Sequence, residues 1–284
     1  MALSYPLSGY EAELYEFLEA TYGVGPTNED MGKLYLIESF ESNVDPSLIE
    51  IRGVGSRDVQ MLKRGLTQAV IKLVMIPKED LLGFIDYIIE NPQKSYSIEA
   101  VYQRGAEIIS LRHFGCCLNK LKMSCAQDDM LRAEMEFWAQ RPNSATQKWS
   151  TGTYGTQTGD LVAWYQTYLK RSGILTEKCV SWEFSVDENL KRLPVIRSTE
   201  ANLLKYMQRR QRAVKGELVF IFNENAEYLE VVNDMEFTLE FGFGAAKKAT
   251  LSGCKWSKIA LPTHLEDVPV NLPFTAKSIA FAAQ

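Results

Sequence analysis

The chain has only two imidazoles, His113 and His264. Neither has His, Cys, Asp or Glu at metal-ligand spacing, and neither stands near a Gly-x-Ser-x-Gly serine. A general base also needs a partner that orients it, so a surface or hydrogen-bonded role is expected of both. The five cysteines (Cys116, Cys117, Cys125, Cys179 and Cys254) form no Cys-x-x-Cys pair, the arrangement that structural zinc uses. Adjacent Cys116 and Cys117 are poorly placed to bridge each other. On a strand one of them should face the core and the other should face outward. Free cysteine packs as a small apolar residue, so reduced, buried thiols are expected.

Three further patterns carry possible chemistry. Residues 53–58 (GVGSRD) resemble a phosphate-binding turn, but they lack the third glycine of GxGxxG and the Gly-Lys-Ser/Thr of a P-loop. They read as a turn whose glycines supply positive φ. Lys205, Arg209, Arg210, Arg212 and Lys215 form a basic cluster. Glu200 and Glu217 flank it, and Tyr206 is its one stacking partner, so a solvated face or an inter-subunit contact is expected before a nucleic-acid groove. The acidic pairs Asp128-Asp129 and Glu266-Asp267 read as turns, where carboxylates bond their own backbone. The sequence therefore predicts no catalytic residue, no metal ligand, no cofactor site and no enzyme.

Composition agrees with a packed, non-catalytic chain. Of 284 residues, 46% are apolar and 24% charged, near the globular average. Lys and Arg number 31 against 36 Asp and Glu, a net charge of −5. Proteins that grip phosphates are usually basic; mild acidity suits a surface that must not adhere to DNA. Glu11, Glu13, Glu16 and Glu19 stand where a signal peptide would be apolar. No apolar run approaches the ~20 residues of a membrane span, and no membrane partner is expected.

The elements that would position these residues show a duplication. Residues 49–76 align with 194–221 at an offset of 145, placing Ile51-Arg52 on Ile196-Arg197, Leu62 on Met207 and Leu73-Val74 on Leu218-Val219. Residues 115–129 align with 253–267 at an offset of 138, placing Gly115-Cys116 on Gly253-Cys254 and Lys120-Leu121 on Lys258-Ile259. A slip of one then puts Phe137 on Phe274 and Ala139 on Ala276. Alternating residues 95–102 and 235–241 read as half-buried strands, and 68–76 and 216–222 as central ones. Residues 259–261, 268–272 and 279–281 read as short strands. A helix is expected after Pro77, with Leu81, Leu82, Ile85, Ile88 and Ile89 on one stripe and Pro92 at its end. Its counterpart over 223–233 is shorter. Val59, Leu62, Leu66 and Val70, like Leu203, Leu204, Met207 and Val214, fit either helices or long hairpin arms. Residues 141–159 read as a mobile loop, followed by a helix carrying Leu161, Trp164, Tyr165 and Tyr168 and capped by Gly173.

These blocks resemble the two-repeat tail-tube proteins of tailed viruses of archaea and bacteria. The resemblance runs through Glu19-x-x-Tyr22-Gly23, the Gly55-Ser56-Arg57-Asp58 turn with Gly65, and Gly115-Cys116 leading to Phe137 and Ala139. In the second half it continues through Val180-Ser181-Trp182 to Asn189-Leu190, then Leu251-Ser252-Gly253-Cys254, then residues 273–278 (PFTAKS). Val195-Ile196-Arg197-Ser198 takes the turn's place without its glycine, and 141–178 falls outside the pattern. The resemblance implies a mainly β fold with flanking helices, in two tandem β-sandwich or partial-barrel domains. These are 1–140 with an N-terminal arm and 179–284, joined by an insert at 141–178. It implies a virion tail protein made in the host cytoplasm. Its first partner would be itself, in stacked rings of three chains with pseudo-six-fold symmetry. The others would be tape-measure and terminator proteins, a sheath in contractile tails, and viral DNA in passage. The alternatives are a terminator or baseplate-hub subunit that does not polymerise, a nucleic-acid-binding protein using 205–215, and a phosphate enzyme using 53–58.

Overall fold

The computed structural model describes residues 12–34, 36–54, 57–156, 158–195, 203–221, 226–245, 247–259 and 269–283. The first stretch of chain forms β1 (Ala12–Leu18), β2 (Gly32–Leu34), β3 (Ile37–Asp45), β4 (Leu48–Ile51), β5 (Met61–Arg64) and β6 (Gln68–Met75). Helix α1 (Glu79–Glu90) precedes β7 (Tyr96–Arg104), the long β8 (Glu107–Ala126), β9 (Arg132–Ala139) and β10 (Arg141–Ala145). The chain continues with β11 (Thr167–Arg171), β12 (Ile174–Leu175), β13 (Cys179–Asp187), β14 (Lys191–Leu193), β15 (Tyr206–Gln208) and β16 (Ala213–Ile221). Helix α2 (Ala226–Val232) then leads to β17 (Phe237–Phe243), β18 (Lys247–Trp256), β19 (Pro269–Ala276) and β20 (Ser278–Ala283).

The second series repeats the first strand for strand. β1 pairs with β2 and β7, as β11 pairs with β12 and β17. β6 lies between β3 and β9, as β16 lies between β13 and β19. β8 meets β7, β9 and β10; β18 meets β17, β19 and β20. All these pairings are antiparallel. The result is one eight-stranded sheet in the order β3-β6-β9-β8-β13-β16-β19-β18, with a smaller sheet from each series set over one of its faces. The two series meet where β8 pairs with β13, from Ser181 opposite Ala126 to Asp187 opposite Lys120.

The physical reason for the repeat lies at a glycine. β8 serves two sheets, so it must bend. Gly115 adopts φ 61 there and Gly253 adopts φ 62 in β18, a region open to glycine at little cost. The next residue in each case, Cys116 or Cys254, is fully buried and donates its Sγ–H to the carbonyl three residues earlier at 3.4 Å. Strands β6, β9, β13, β16 and β19, and β8 beyond Asn119, alternate, with residues such as Leu73, Phe137, Leu121, Phe184, Leu218 and Phe274 turned into the core.

Several expectations need correction. Residues 141–159 are not a free loop. β10 pairs with β8, Trp149 packs 4.4 Å from Phe114, and Tyr154 Oη donates to Glu99 at 2.7 Å. The helix expected over 161–171 is a single 3-10 turn at Trp164–Gln166 followed by β11, and Gly173 serves the β11–β12 hairpin with φ 83. Pairing to β17 supplies backbone partners that a short isolated helix would lack. Residues 95–102 are buried on both sides rather than one. The hairpin reading of the ambiguous segments holds, as β4–β5 and β14–β15. The arm registers pair Ile51 with Met61 and Leu193 with Tyr206, which makes Leu193 the counterpart of Ile51; Ile196 and Arg197 lie outside the described residues. Helix α1 buries the whole expected stripe. Of the expected strand at 259–261, Ile259 lies in no strand and 260–261 fall outside the described residues, as does the start of that at 268–272.

Candidate assembly surface

The large sheet has one covered face and one open face. On the open face, charged side chains neutralise one another across strands. Lys72 stands opposite both Glu41 and Glu136. Lys122 Nζ reaches Glu183 at 2.8 Å and Glu134 at 3.9 Å, Lys120 reaches Asp187 at 3.7 Å, and Arg132 reaches Glu38 at 3.0 Å. A shallow groove of about 500 Å³ runs along it between Ser39, Lys72, Lys120 and Ser185. Opposite charges facing each other across a sheet each stabilise modestly. Together they leave no block of free cations to hold a polyanion.

The β8–β13 seam is tightly built. Asn119, nearly buried in β8, accepts the backbone N–H of Leu190 on Oδ1 at 3.2 Å and donates Nδ2 to Glu136 at 2.6 Å. Its carbonyl accepts the N–H of Glu188 at 2.8 Å. Two members of the basic cluster, Arg209 and Arg212, are spent here, while Arg210 and Lys215 are exposed. Arg212 Nε reaches the buried Glu188 at 2.7 Å, Arg209 reaches it at 3.5 Å, and Arg212 Nη2 donates to the Ile89 carbonyl at 2.8 Å. Arg192 lies 4.1 Å from the centre of the Trp138 ring, fixing arm β14–β15 to β9. A buried carboxylate tolerates its charge only with such partners.

The remaining sequence candidates do not converge. His113 is buried, with Nε2 2.8 Å from Ser42 Oγ, and burial lowers its pKa to about 4. Cys116 and Cys117 are both buried, against the expectation that one would face outward, because β8 is covered on both sides here. Burial pushes the Cys117 and Cys125 thiols up to about 11, which makes them poor nucleophiles. In the turn at 53–58, Gly53 sits against Gln60, while Gly55 and Ser56 lie outside the described residues. Asp129 bonds the Met130 N–H and Arg132. His264, Glu266 and Asp267 also lie outside. Among the described residues no group of three His, Cys, Asp or Glu could hold a metal ion, and no helix is long and apolar enough to cross a membrane.

Sequence reasoning missed the buried carboxylate of Glu19. It accepts the N–H groups of Gly23 and Gly115 at 2.7 and 2.8 Å and the hydroxyls of Ser95 and Ser97 at 2.6 and 2.8 Å. The Glu-x-x-Tyr-Gly pattern carried that signal: its acid caps its own glycine and the bend in β8.

A model of the phage tail tube protein family matches residues 9–276. The chain belongs to that family. No curated protein matches it. The match covers the eight-stranded sheet, both arms and both helices. As a tail tube protein the chain is a structural component of the virion tail that assembles with itself and with other tail proteins.

Proposed function

We propose that this tail tube protein closes into rings of three chains with pseudo-six-fold symmetry, and that the rings stack around a lumen conducting viral DNA. The observation that carries this reading is the strand-for-strand repeat joined edge to edge through β8 and β13. Each chain then contributes two tandem domains, 1–140 and 179–284. The connection 141–178 lends edge strands to both, through β10 and through β11–β12. A joint that repeats by rotation closes a ring, and one that repeats by translation grows a filament. The open sheet face would line the lumen, where self-neutralised charge lets DNA phosphates slide. Tape-measure and terminator proteins, and a sheath in contractile tails, are the further partners this reading requires.

Negative-stain electron microscopy of the purified chain at rising concentration tests it. Hollow tubes with a regular axial repeat are expected. Closed rings that never stack would point instead to a terminator or hub part. Monomers at every concentration would overturn the ring.

A further inference from the structure

We infer that the joint between two copies repeats the β8–β13 seam, with Asp45 of one copy opposite Lys258 of the next and Val44 opposite Ile259. This rests on the ring reading and specifies its contact.

The two donor edges match in detail. β3 and β13 pair with β6 and β16 in the same register, each with a register shift just before Ser39 or Ser181. Each ends in the same turn. The Ser47 N–H donates to Asp45 Oδ1 at 2.7 Å with φ 47 at Ser47. The Asn189 N–H donates to Asp187 Oδ1 at 2.8 Å with φ 48 at Asn189. Asp45 is therefore the counterpart of Asp187, and Val44 of Val186. On the acceptor side, Lys120 and Leu121 stand in the same places after Gly115 as Lys258 and Ile259 after Gly253.

One seam is filled, and among the described residues the donor edge of its counterpart is bare. Within the chain, Asp187 pairs with Lys120, and Val186 and Leu121 face each other fully buried. Val44 is 45% exposed on the open edge of β3. Among the described residues neither Asp45 nor Lys258 makes an ion pair. An open strand edge is a template for another strand.

Two more exposed patches follow the same rule. Helix α1 packs on β18 and β20, with Asp86 on Lys247 and Glu90 accepting the Phe281 N–H at 3.3 Å. Its counterpart α2 leaves Leu229 46% exposed. Arm β14–β15 lies against β9 through Arg192 and Trp138, whereas arm β4–β5 leaves Leu62 57% exposed. In the seam, α1 shares a series with β8 and arm β14–β15 shares one with β13. A single joint between Lys258-Ile259, just after β18 of one copy, and β3 of the next therefore covers α2, arm β4–β5 and the edge together. That matching of three bare patches to three covered ones identifies the occupant as a second copy of this chain.

The test joins Asp45→Cys to Lys258→Cys in the full chain, with the partly exposed Cys179 replaced by Ser and the other native thiols buried. Mild oxidation should give disulfide-linked oligomers on non-reducing gels, ending in a species of three chains, which neither single variant gives. In parallel, Asp45→Lys or Lys258→Asp alone should raise the concentration needed for assembly roughly three- to tenfold, and the double swap should restore it. Tubes that form from the double-cysteine chain without inter-chain disulfides would overturn this joint and leave the tail-tube reading standing. Failure of the unaltered chain to assemble would overturn the ring itself.

Discussion

Arg192 holds its guanidinium 4.1 Å from the centre of the Trp138 ring, so an arm of the second series is clasped to a strand of the first. A cation over an indole face contributes about 1 kcal/mol where partly exposed, and the arginine stem adds packing. Trp138→Ala should lower stability by about 1–2 kcal/mol in urea unfolding. Trypsin should then cut faster at Arg209, Arg210 and Arg212, which directly follow the arm. An unchanged digestion pattern would mean the arm is secured elsewhere.

The glycine bends should not tolerate alanine equally. Both Gly115 and Gly253 lie at positive φ, which strains any side chain by about 1–2 kcal/mol. A Cβ on Gly115 would sit 2.8 Å from Gln140 Cβ and 3.0 Å from the Tyr22 ring, both fixed. On Gly253 its nearest neighbour, at 2.6 Å, is the Lys277 stem, which can swing aside. Gly115→Ala should therefore destabilise by about 2 kcal/mol or more, and Gly253→Ala by about 1 kcal/mol. Their denaturant midpoints rank the two.

Acid should weaken the fold through His113. Burial holds its folded pKa at about 4, against about 6.5 in an unfolded chain. The neutral imidazole is favoured on folding, so its contribution is complete above about pH 6.5 and is lost as pH falls toward 4. The full loss is about 3 kcal/mol. Urea midpoints between pH 7 and 4 should slope accordingly, and His113→Asn should remove that part of the slope. Parallel slopes in the two proteins would contradict the assignment.

In the proposed ring, charge balance on the open sheet face is what would let DNA slide. Replacing Glu41, Glu134 and Glu183 together by Lys would unpair Lys122, leave Lys72 opposite Glu136 alone and make the face strongly basic. Fluorescence anisotropy should then detect DNA binding that falls steeply with salt, where the unaltered chain binds weakly. Strong binding by the unaltered chain would speak against a sliding surface.

Much of this architecture was legible because backbone constraints recur in sequence. Gly115-Cys116 and Gly253-Cys254 mark the same bend, so a bare dipeptide match located the long strand in each series. The stripe from Leu81 to Ile89 identified α1 by period alone. Other elements were hidden by tertiary context. Leu161, Trp164 and Tyr168 have helical spacing, yet Tyr168 belongs to a strand whose hydroxyl reaches Glu240 at 2.9 Å, a partner 72 residues away. The cluster around Arg209 and Arg212 read as a surface because Glu188, which neutralises it, gives no local sign of being buried. The proposed assembly edge was invisible for the same reason: Val44 and Asp45 repeat Val186 and Asp187 in type, and what separates the two pairs is what lies beside them.

The seam between β8 and β13 also fixes a parity. Because two repeats travel on one covalent chain, any closed ring must contain an even number of them. Every second joint then exists before two molecules meet, formed at the high effective concentration of a tethered pair. A six-repeat ring then requires two chance encounters rather than five, the last joint in either case closing within the assembled species. It also cannot stall at an odd count, with one repeat left over and its strand edge open to the wrong neighbour.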